Sequence, residues 1–352
     1  MSKLDKKKVL FFAKVPNKKI LSDVSFYEQD IRALKDMGYD VQVSNQLRDI
    51  LSCHYDVLYV WWWTYSLLPI VVSRLRGAKC IVAGAFHYET PLMSGTDFVR
   101  RSWLYRVLIG LSLRTAHMNI FVSACEYNAV VNNLPVNNPR LVYHGIDTDV
   151  YVPCDGRDDA LLDKPNRTPQ LLCISWMEKN NIERKCIREV VDALEILYLQ
   201  GVEANLILVG RPGPGYEEFK EFVATKACAK NITFKGHVTE AEKIDLLRAS
   251  TMYVSPTLYE GFGIAIAESL SVGCPVITSK NGAVPEVVGG CAIFVDPLSP
   301  ESIAQAILTL VQNPDTRLRL SKLGRRRVVS KYSYRKHSES LANAVLSLSN
   351  IS

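Results

Sequence analysis

At 352 residues the chain has room for two domains that each bury a core, since domains run to roughly 100–200 residues. Hydrophobic residues at 48% and charged residues at 22% exclude a largely disordered chain and a polytopic membrane protein. The net charge of +6 is uneven, because residues 1–150 hold 18 Lys and Arg against 13 Asp and Glu.

The first half alternates short apolar runs with longer amphipathic ones. KKVLFFAKV predicts a strand. FYEQDIRALKDMGY predicts a helix, with Phe26, Ile31, Leu34 and Met37 at three- to five-residue steps and Gly38 where a helix-ending glycine belongs. DVQVS and DVLYVWW predict strands, SLLPIVVSRLRG a helix and AKCIVAGAF a strand; LRTAHMNIFVSACEYNAV repeats the unit and RLVYHGID closes it. This is βαβ repetition, hence a parallel sheet with helices on both faces. The uncharged stretch between Asp56 and Arg74, with Trp61, Trp62 and Trp63, falls short of a membrane span and reads as a buried strand, a loop and a helix start.

A polar segment from Val152 to Gln170 then breaks the pattern and marks a linker over 156–170. After it come LLCIS, the helix REVVDALEILYLQG, ANLILVG, the helix YEEFKEFVATKAC, ITFKG, the helix EAEKIDLLRAS, MYVSPT, a helix from Ile264, CPVITS, AIFVDP and the helix PESIAQAILTLVQ. The expected division is a first domain over 1–155, a second over 171–333 and a terminal helix over 334–352. That helix carries Leu341, Ala344, Val345 and Leu348 at helical spacing, so it can return to pack on the first domain. The fold class is α/β, with two doubly wound, Rossmann-like parallel-sheet domains. Ligands of such sheets bind beyond the carboxyl ends of the strands, in a cleft that two facing domains would share.

Nine cysteines are scattered singly, without C-x-x-C pairs or metal-ligand spacing, which fits a reducing, cytoplasmic compartment. VLFFAKV is too short for a signal h-region and is followed by more lysine, so export is not expected. Lys3, Lys6, Lys7, Lys8, Lys14, Lys18 and Lys19, with Arg100, Arg101, Arg106 and Arg114, could meet an anionic lipid surface as a peripheral contact or a diphosphate-bearing acceptor, or could simply form a solvated face. A nucleic-acid partner is not expected from so modest a charge.

The richest segment runs from Met252 to Gly290. A strand ends at Ser255-Pro256, a loop carries Glu260, and Gly261-Phe262-Gly263 lets the backbone approach a ligand before a helix begins near Ile264. Amide N–H groups at such a helix start, with the helix dipole, suit phosphate oxygens. Glu260 before the helix and Glu268 inside it could bind hydroxyls on either side of that phosphate, as on a sugar and a ribose. Glu268 lies in an apolar helix, where an unpaired carboxylate is so costly that it needs a partner, either that hydroxyl or a buried Lys or Arg. Two carboxylates also suggest a hydrolase. Eight helical residues, however, separate their backbones by ~12 Å, beyond the ~5–9.5 Å of paired glycosidase carboxyls, and one strand-to-helix element cannot easily flank a scissile bond from both faces. Asp147-Thr148-Asp149 looks like a turn or helix start rather than a metal clamp.

The pattern E-G-F-G-x-x-x-x-E from Glu260 to Glu268 resembles the glutamate-pair motif of glycosyltransferase family 4, a retaining group with the GT-B fold. GAVPE at Gly282 to Glu286, FKGHV, ILVG ending at Gly210 and YHGID at Tyr143 to Asp147 accompany it in the family's order. The resemblance covers residues 140–330 well and the first half loosely. It implies a metal-independent enzyme that needs no cofactor beyond its co-substrate. A hexose-type sugar would move from a UDP- or GDP-linked donor to a glycan, lipid-linked or small-molecule acceptor. A donor-binding protein without transfer activity and a nucleotide-sugar epimerase are the alternatives. Glu260 is implied to hold the transferred sugar and Glu268 the ribose, while the backbone of Gly261, Phe262, Gly263 and Ile264 contacts sugar and phosphates. Lys185 is implied as diphosphate ligand, and Arg184 or Lys179 would replace the family arginine, where Trp176 stands. AGAFHYET resembles the family loop whose histidine faces the reacting centre, so His87 joins Lys185 and Glu260 as the implied catalytic set. The family's N-terminal glycine pair is absent from KVPNKKILSDVS.

Overall fold

The computed structural model describes residues 6–93, 97–162 and 168–348. Lys3, part of the expected linker at 163–167 and the last four residues of the expected terminal helix lie outside the described residues.

The chain divides into two compact units, residues 1–145 with 334–352, and residues 146–333. In the first, six parallel strands stand in the order β2-β1-β3-β4-β5-β6. They are β1 (Lys8–Ala13), β2 (Asp40–Ser44), β3 (Val57–Trp61), β4 (Lys79–Gly84), β5 (Met118–Phe121) and β6 (Pro139–Leu141). Side chains of a strand alternate between faces, and here both alternating sets are apolar. Val9, Phe11, Ala13, Val57, Tyr59 and Trp61 enter one core; Leu10, Phe12, Leu58 and Val60 enter the other. The Ser25–Asp36 helix covers the first face, ending before Gly38, and the Leu67–Leu75 and Trp103–Thr115 helices cover the second. Trp61 and Trp63 are buried, and Trp62 is half-buried.

The Tyr334–Ser347 helix belongs to this first unit. Leu341, Ala344, Val345 and Leu348 join the core of the Ser25–Asp36 helix. A buried polar cluster holds the helix there as well. Asp30 accepts hydrogen bonds from the Tyr59 hydroxyl at 2.8 Å and the Trp61 indole at 3.0 Å. His337 Nε2 stands 3.0 Å from the other Asp30 oxygen, while its Nδ1 meets the Tyr143 carbonyl at 2.7 Å.

The second unit repeats the plan, with parallel strands in the order β12-β11-β10-β7-β8-β9. These are β7 (Gln170–Ile174), β8 (Asn205–Val209), β9 (Ile232–Gly236), β10 (Met252–Ser255), β11 (Val276–Thr278) and β12 (Ala292–Phe294). The Ile187–Leu199 and Pro300–Gln312 helices bury Val190, Leu194, Ile303 and Ile307 in its core.

Three expectations need correction. The units part at Gly145 and Ile146, ten residues before the expected boundary at 155. Arg325 causes this by donating to the carbonyls of Thr148 and Tyr151, which ties that stretch to the second unit. The expected linker begins instead with a short helix, Arg157–Leu162. The buried Arg157 guanidinium donates to the carbonyls of Arg248 and Ser250. Finally, an 18-residue helix, Pro314–Lys331, fills a stretch for which no element was expected. Its run of arginines hides the periodicity, since Arg317 is buried and donates to the carbonyls of Leu161 and Val311.

Candidate active site

In the second unit the chain starts at β7 and runs out to β9, then returns to β10 on the other side of β7. This is the topological switch point, where the loops after neighbouring strands diverge and leave a crevice. The loop after β10 carries Glu260. The loop after β7 carries the Lys179–Arg184 helix, with Lys185 as its C-cap.

These two loops meet at one carboxylate. Arg184 donates to Glu260 Oε1 at 2.9 Å, and Lys185 Nζ lies 3.2 Å from the same oxygen. Arg184 is held by further bonds to the Tyr259 carbonyl at 2.9 Å and to Asn181 Oδ1 at 3.0 Å. Its own carbonyl accepts from the Leu258 amide at 2.7 Å and the Thr257 hydroxyl at 3.1 Å. The Glu260 side chain is only 15% exposed. Burial alone would raise its pKa, but Lys185 and Arg184 outweigh burial and hold the carboxyl down at about 2. Glu260 is therefore a fixed anion at neutral pH.

Backbone geometry fixes this carboxylate from the other side. The Glu260 carbonyl accepts from the Ala283 amide at 2.8 Å. Gly282, at φ +60, lies so close that a Cβ there would stand 2.3 Å from that oxygen. The GAVPE segment thus serves as the seat of Glu260. The Ile264–Ser271 helix follows, capped by Gly263 in the left-handed conformation at φ 91. The first amides of a helix have no partner within it. No side chain caps this helix, and no acid occupies its first turn, so Ile264 and its successors present a positive end at which an anion is favoured. Phe262 is buried edge-on against Tyr332, at 5.5 Å between centroids, and anchors the glycine turn.

Glu268 is 2% exposed. Its partner is a lysine: Lys243 Nζ lies 3.0 Å from Glu268 Oε1 and 3.0 Å from Glu240. Burial alone would lower the Lys243 pKa, but Glu268 and Glu240 raise it. The Tyr151 hydroxyl bonds Glu240 in the same cluster, and burial with the two carboxylates pushes its pKa up. Sequence reasoning missed Lys243, Glu240 and Tyr151, because a pair 25 positions apart leaves no local spacing signal.

Against known proteins, residues 166–327 match the family model described as Glycosyl transferases group 1. The matched residues lie within the second unit and make up most of it. Among curated relatives, an MMP alpha-(1->4)-mannosyltransferase of Mycolicibacterium hassiacum is 26% identical over 74% of this chain and 59% of its own length. A GDP-mannose-dependent alpha-(1-6)-phosphatidylinositol dimannoside mannosyltransferase of Mycobacterium tuberculosis is 30% identical over 55% of this chain and 51% of its own. The chain thus spans between half and three fifths of the length of these two relatives. Among solved structures, sucrose-phosphate synthase of Thermosynechococcus elongatus superposes with a TM-score of 0.78 over 99% of this chain and 100% of that one, at 16% identity. Anabaena HepE in complex with UDP-glucose gives 0.76 over 97% and 99%, at 17%. These likenesses establish the GT-B fold: two successive doubly wound α/β domains.

Within the second unit eight of the nine predicted residues gather at one sheet end: Arg184, Lys185, Glu260, Gly261, Phe262, Gly263, Ile264 and Glu268. His87 belongs to the first unit. Its Nε2 lies 3.9 Å from Glu126 Oε1, and Glu126 Oε2 accepts from the Phe86 amide at 2.8 Å, so the loop is pinned to the Ala124–Val131 helix. Trp176 is 59% exposed beyond β7, and Lys179 is exposed beside it. The left-handed backbone that a glycine would supply after Lys185 is taken by Cys186, at φ 49. Asp147 closes a turn by accepting from the Asp149 and Val150 amides at 3.2 and 3.3 Å.

Proposed function

We propose that the protein is a retaining glycosyltransferase of family 4 that moves a hexose-type sugar from a UDP- or GDP-linked donor to a glycan, lipid-linked or small-molecule acceptor, without a metal ion. One observation carries the reading: Arg184 and Lys185 converge on Glu260 beside a helix start that no side chain caps, at the switch point of the sheet. A dianionic diphosphate needs positive charge, and two cations with a helix N-terminus provide it. Glu260, permanently ionised, accepts hydrogen bonds from sugar hydroxyls. A diphosphate arriving at the helix start competes with Glu260 for Lys185, which leaves carboxylate lone pairs for the sugar.

In the proposed reaction the bond between the anomeric carbon and the diphosphate oxygen breaks while the acceptor oxygen bonds that carbon from the same face. The acceptor's proton passes to the departing phosphate oxygen. Lys185 and Arg184 stabilise the charge that grows there, and His87 contacts the sugar near the reacting carbon. Glu268 receives the ribose hydroxyls and shares its carboxylate with Lys243. The names of the mannosyltransferase relatives favour GDP-mannose as first donor to test, and the HepE complex favours UDP-glucose as second. All nine cysteines are free thiols, in keeping with a cytoplasmic location.

The test is donor turnover by the pure protein with each nucleotide sugar. Lys185→Ala and Glu260→Ala are each expected to lower it by about 10²–10³-fold. Wild-type turnover in both variants would refute the assignment, and conversion of the donor sugar without any acceptor would point to an epimerase.

A further inference from the structure

A helix on the surface of a domain ordinarily buries one face and turns charged residues outward. The Trp103–Thr115 helix departs from this. It buries Ile109, Ser112 and Leu113, while Trp103, Leu104, Val107, Leu108 and Leu111 are exposed. At 100° per residue those five share one stripe opposite the buried face. Trp103 is 74% exposed.

The neighbouring Leu67–Leu75 helix behaves alike. It buries Ile70 and Ser73 and exposes Leu68, Val71 and Leu75 at i, i+3 and i+7. Arg74 of this helix donates to the Thr115 carbonyl at 2.7 and 3.0 Å, which ties the two helices together. Both send their buried residues into the same core on one face of the sheet, so both outward stripes point away from that face.

Charge decides what such a surface fits. The chain has no Asp or Glu from residue 57 to 88 or from 98 to 125, the two segments that form this face. Arg74, Arg76, Arg101, Arg106 and Arg114 lie in them, and among the described residues none of the five has an ion pair with a carboxylate; Arg100 is paired with Asp97 at 3.2 Å. A second copy of the chain would set arginine against arginine. An anionic bilayer instead offers acyl chains to the Trp and Leu side chains and headgroup phosphates to the guanidinium groups at their rim. No helix among the described residues is long and apolar enough to cross a membrane, so contact of this kind lies on the surface.

We infer that the first unit docks on anionic lipid through the outward stripes of the Leu67–Leu75 and Trp103–Thr115 helices, with Trp103 inserted at the interface. This is independent of the transferase reading. The experiment is co-sedimentation of the full chain with phosphatidylcholine vesicles and with equimolar phosphatidylglycerol–phosphatidylcholine vesicles, together with Trp fluorescence and sedimentation velocity. Binding is expected to the anionic vesicles, weakening with salt, with a blue-shifted emission that Trp103→Phe abolishes. Trp103→Glu combined with Leu108→Glu should cut vesicle affinity by at least about tenfold, while Leu199→Glu, on the second unit, leaves it unchanged. Both side chains are exposed, so circular dichroism melting should match wild type; Arg101→Glu with Arg106→Glu gives a second route to the same loss. Absent binding, binding equal on neutral vesicles, or unchanged binding in the variants overturns the proposal. So does a wild-type dimer that these substitutions dissociate.

Discussion

The carboxylate of Glu260 receives two cations on one oxygen, and the backbone behind it is closed by Gly282. Gly282→Ala would drive a methyl group into the Glu260 carbonyl, which stands 2.3 Å from that Cβ position. A left-handed backbone also disfavours any L side chain. Donor turnover in this variant is expected to fall at least tenfold, with a stability loss of about 1–3 kcal/mol, measured by urea unfolding. Glu268 poses the opposite problem. Lys243→Met strands a carboxylate that is 2% exposed, and removing one partner of a buried pair costs about 3–5 kcal/mol. Lys243→Met with Glu268→Leu should recover most of that stability but not donor affinity, a distinction that thermal shift with and without nucleotide would reveal.

His117 gives a pH dependence at the same scale. Its Nδ1 accepts the Cys80 amide at 2.9 Å, so the ring must be unprotonated there. Burial, then Arg74 and Lys79, lowers its pKa to about 4. The unfolded chain, at an ordinary value near 6.5, binds the proton first, so stability falls as pH drops from about 6.5 toward 4. Below that, protonation of Glu260 acts in the same direction. The melting temperature should fall over this window, and His117→Gln, which keeps an acceptor, should flatten its upper part.

Among the elements, those with strong periodicity or tight punctuation were readable from sequence. The strand Met252–Ser255 and the helix from Ile264 stand where Pro256 and Gly263 set them; the family resemblance singled out Lys185 and Glu260 with Arg184 as one of two candidates, and their meeting on one oxygen is a feature of the fold. Two features were not legible, for separate reasons. The Pro314–Lys331 helix hides its buried face behind arginines whose stems pack while their heads reach carbonyls. The Lys243–Glu268 pair joins two helices through a tertiary contact that no local window contains. The terminal helix, legible from its spacing, offers its own test: Leu341 is fully buried, so Leu341→Ala should destabilise the first unit by about 2–5 kcal/mol. Nucleotide binding in the second should change little.

At the scale of the whole molecule, the two units differ in how the chain builds them. The second unit is continuous, from residue 146 to 333, and has its own sheet and core. Expressed alone, residues 146–333 are expected to fold and to show a thermal shift with UDP or GDP; a fragment that melts without cooperativity would contradict this.

The first unit has no such independence, because its sheet comes from the first 145 residues while the helix that covers Asp30 comes from the last nineteen. On the ribosome, then, the sheet of the first unit is made before the second unit and completed after it. While some 190 intervening residues are threaded out and fold, the nascent sheet waits with the bed for Leu341 and Val345 open to water, and chaperone demand should centre on that bed rather than on the second unit.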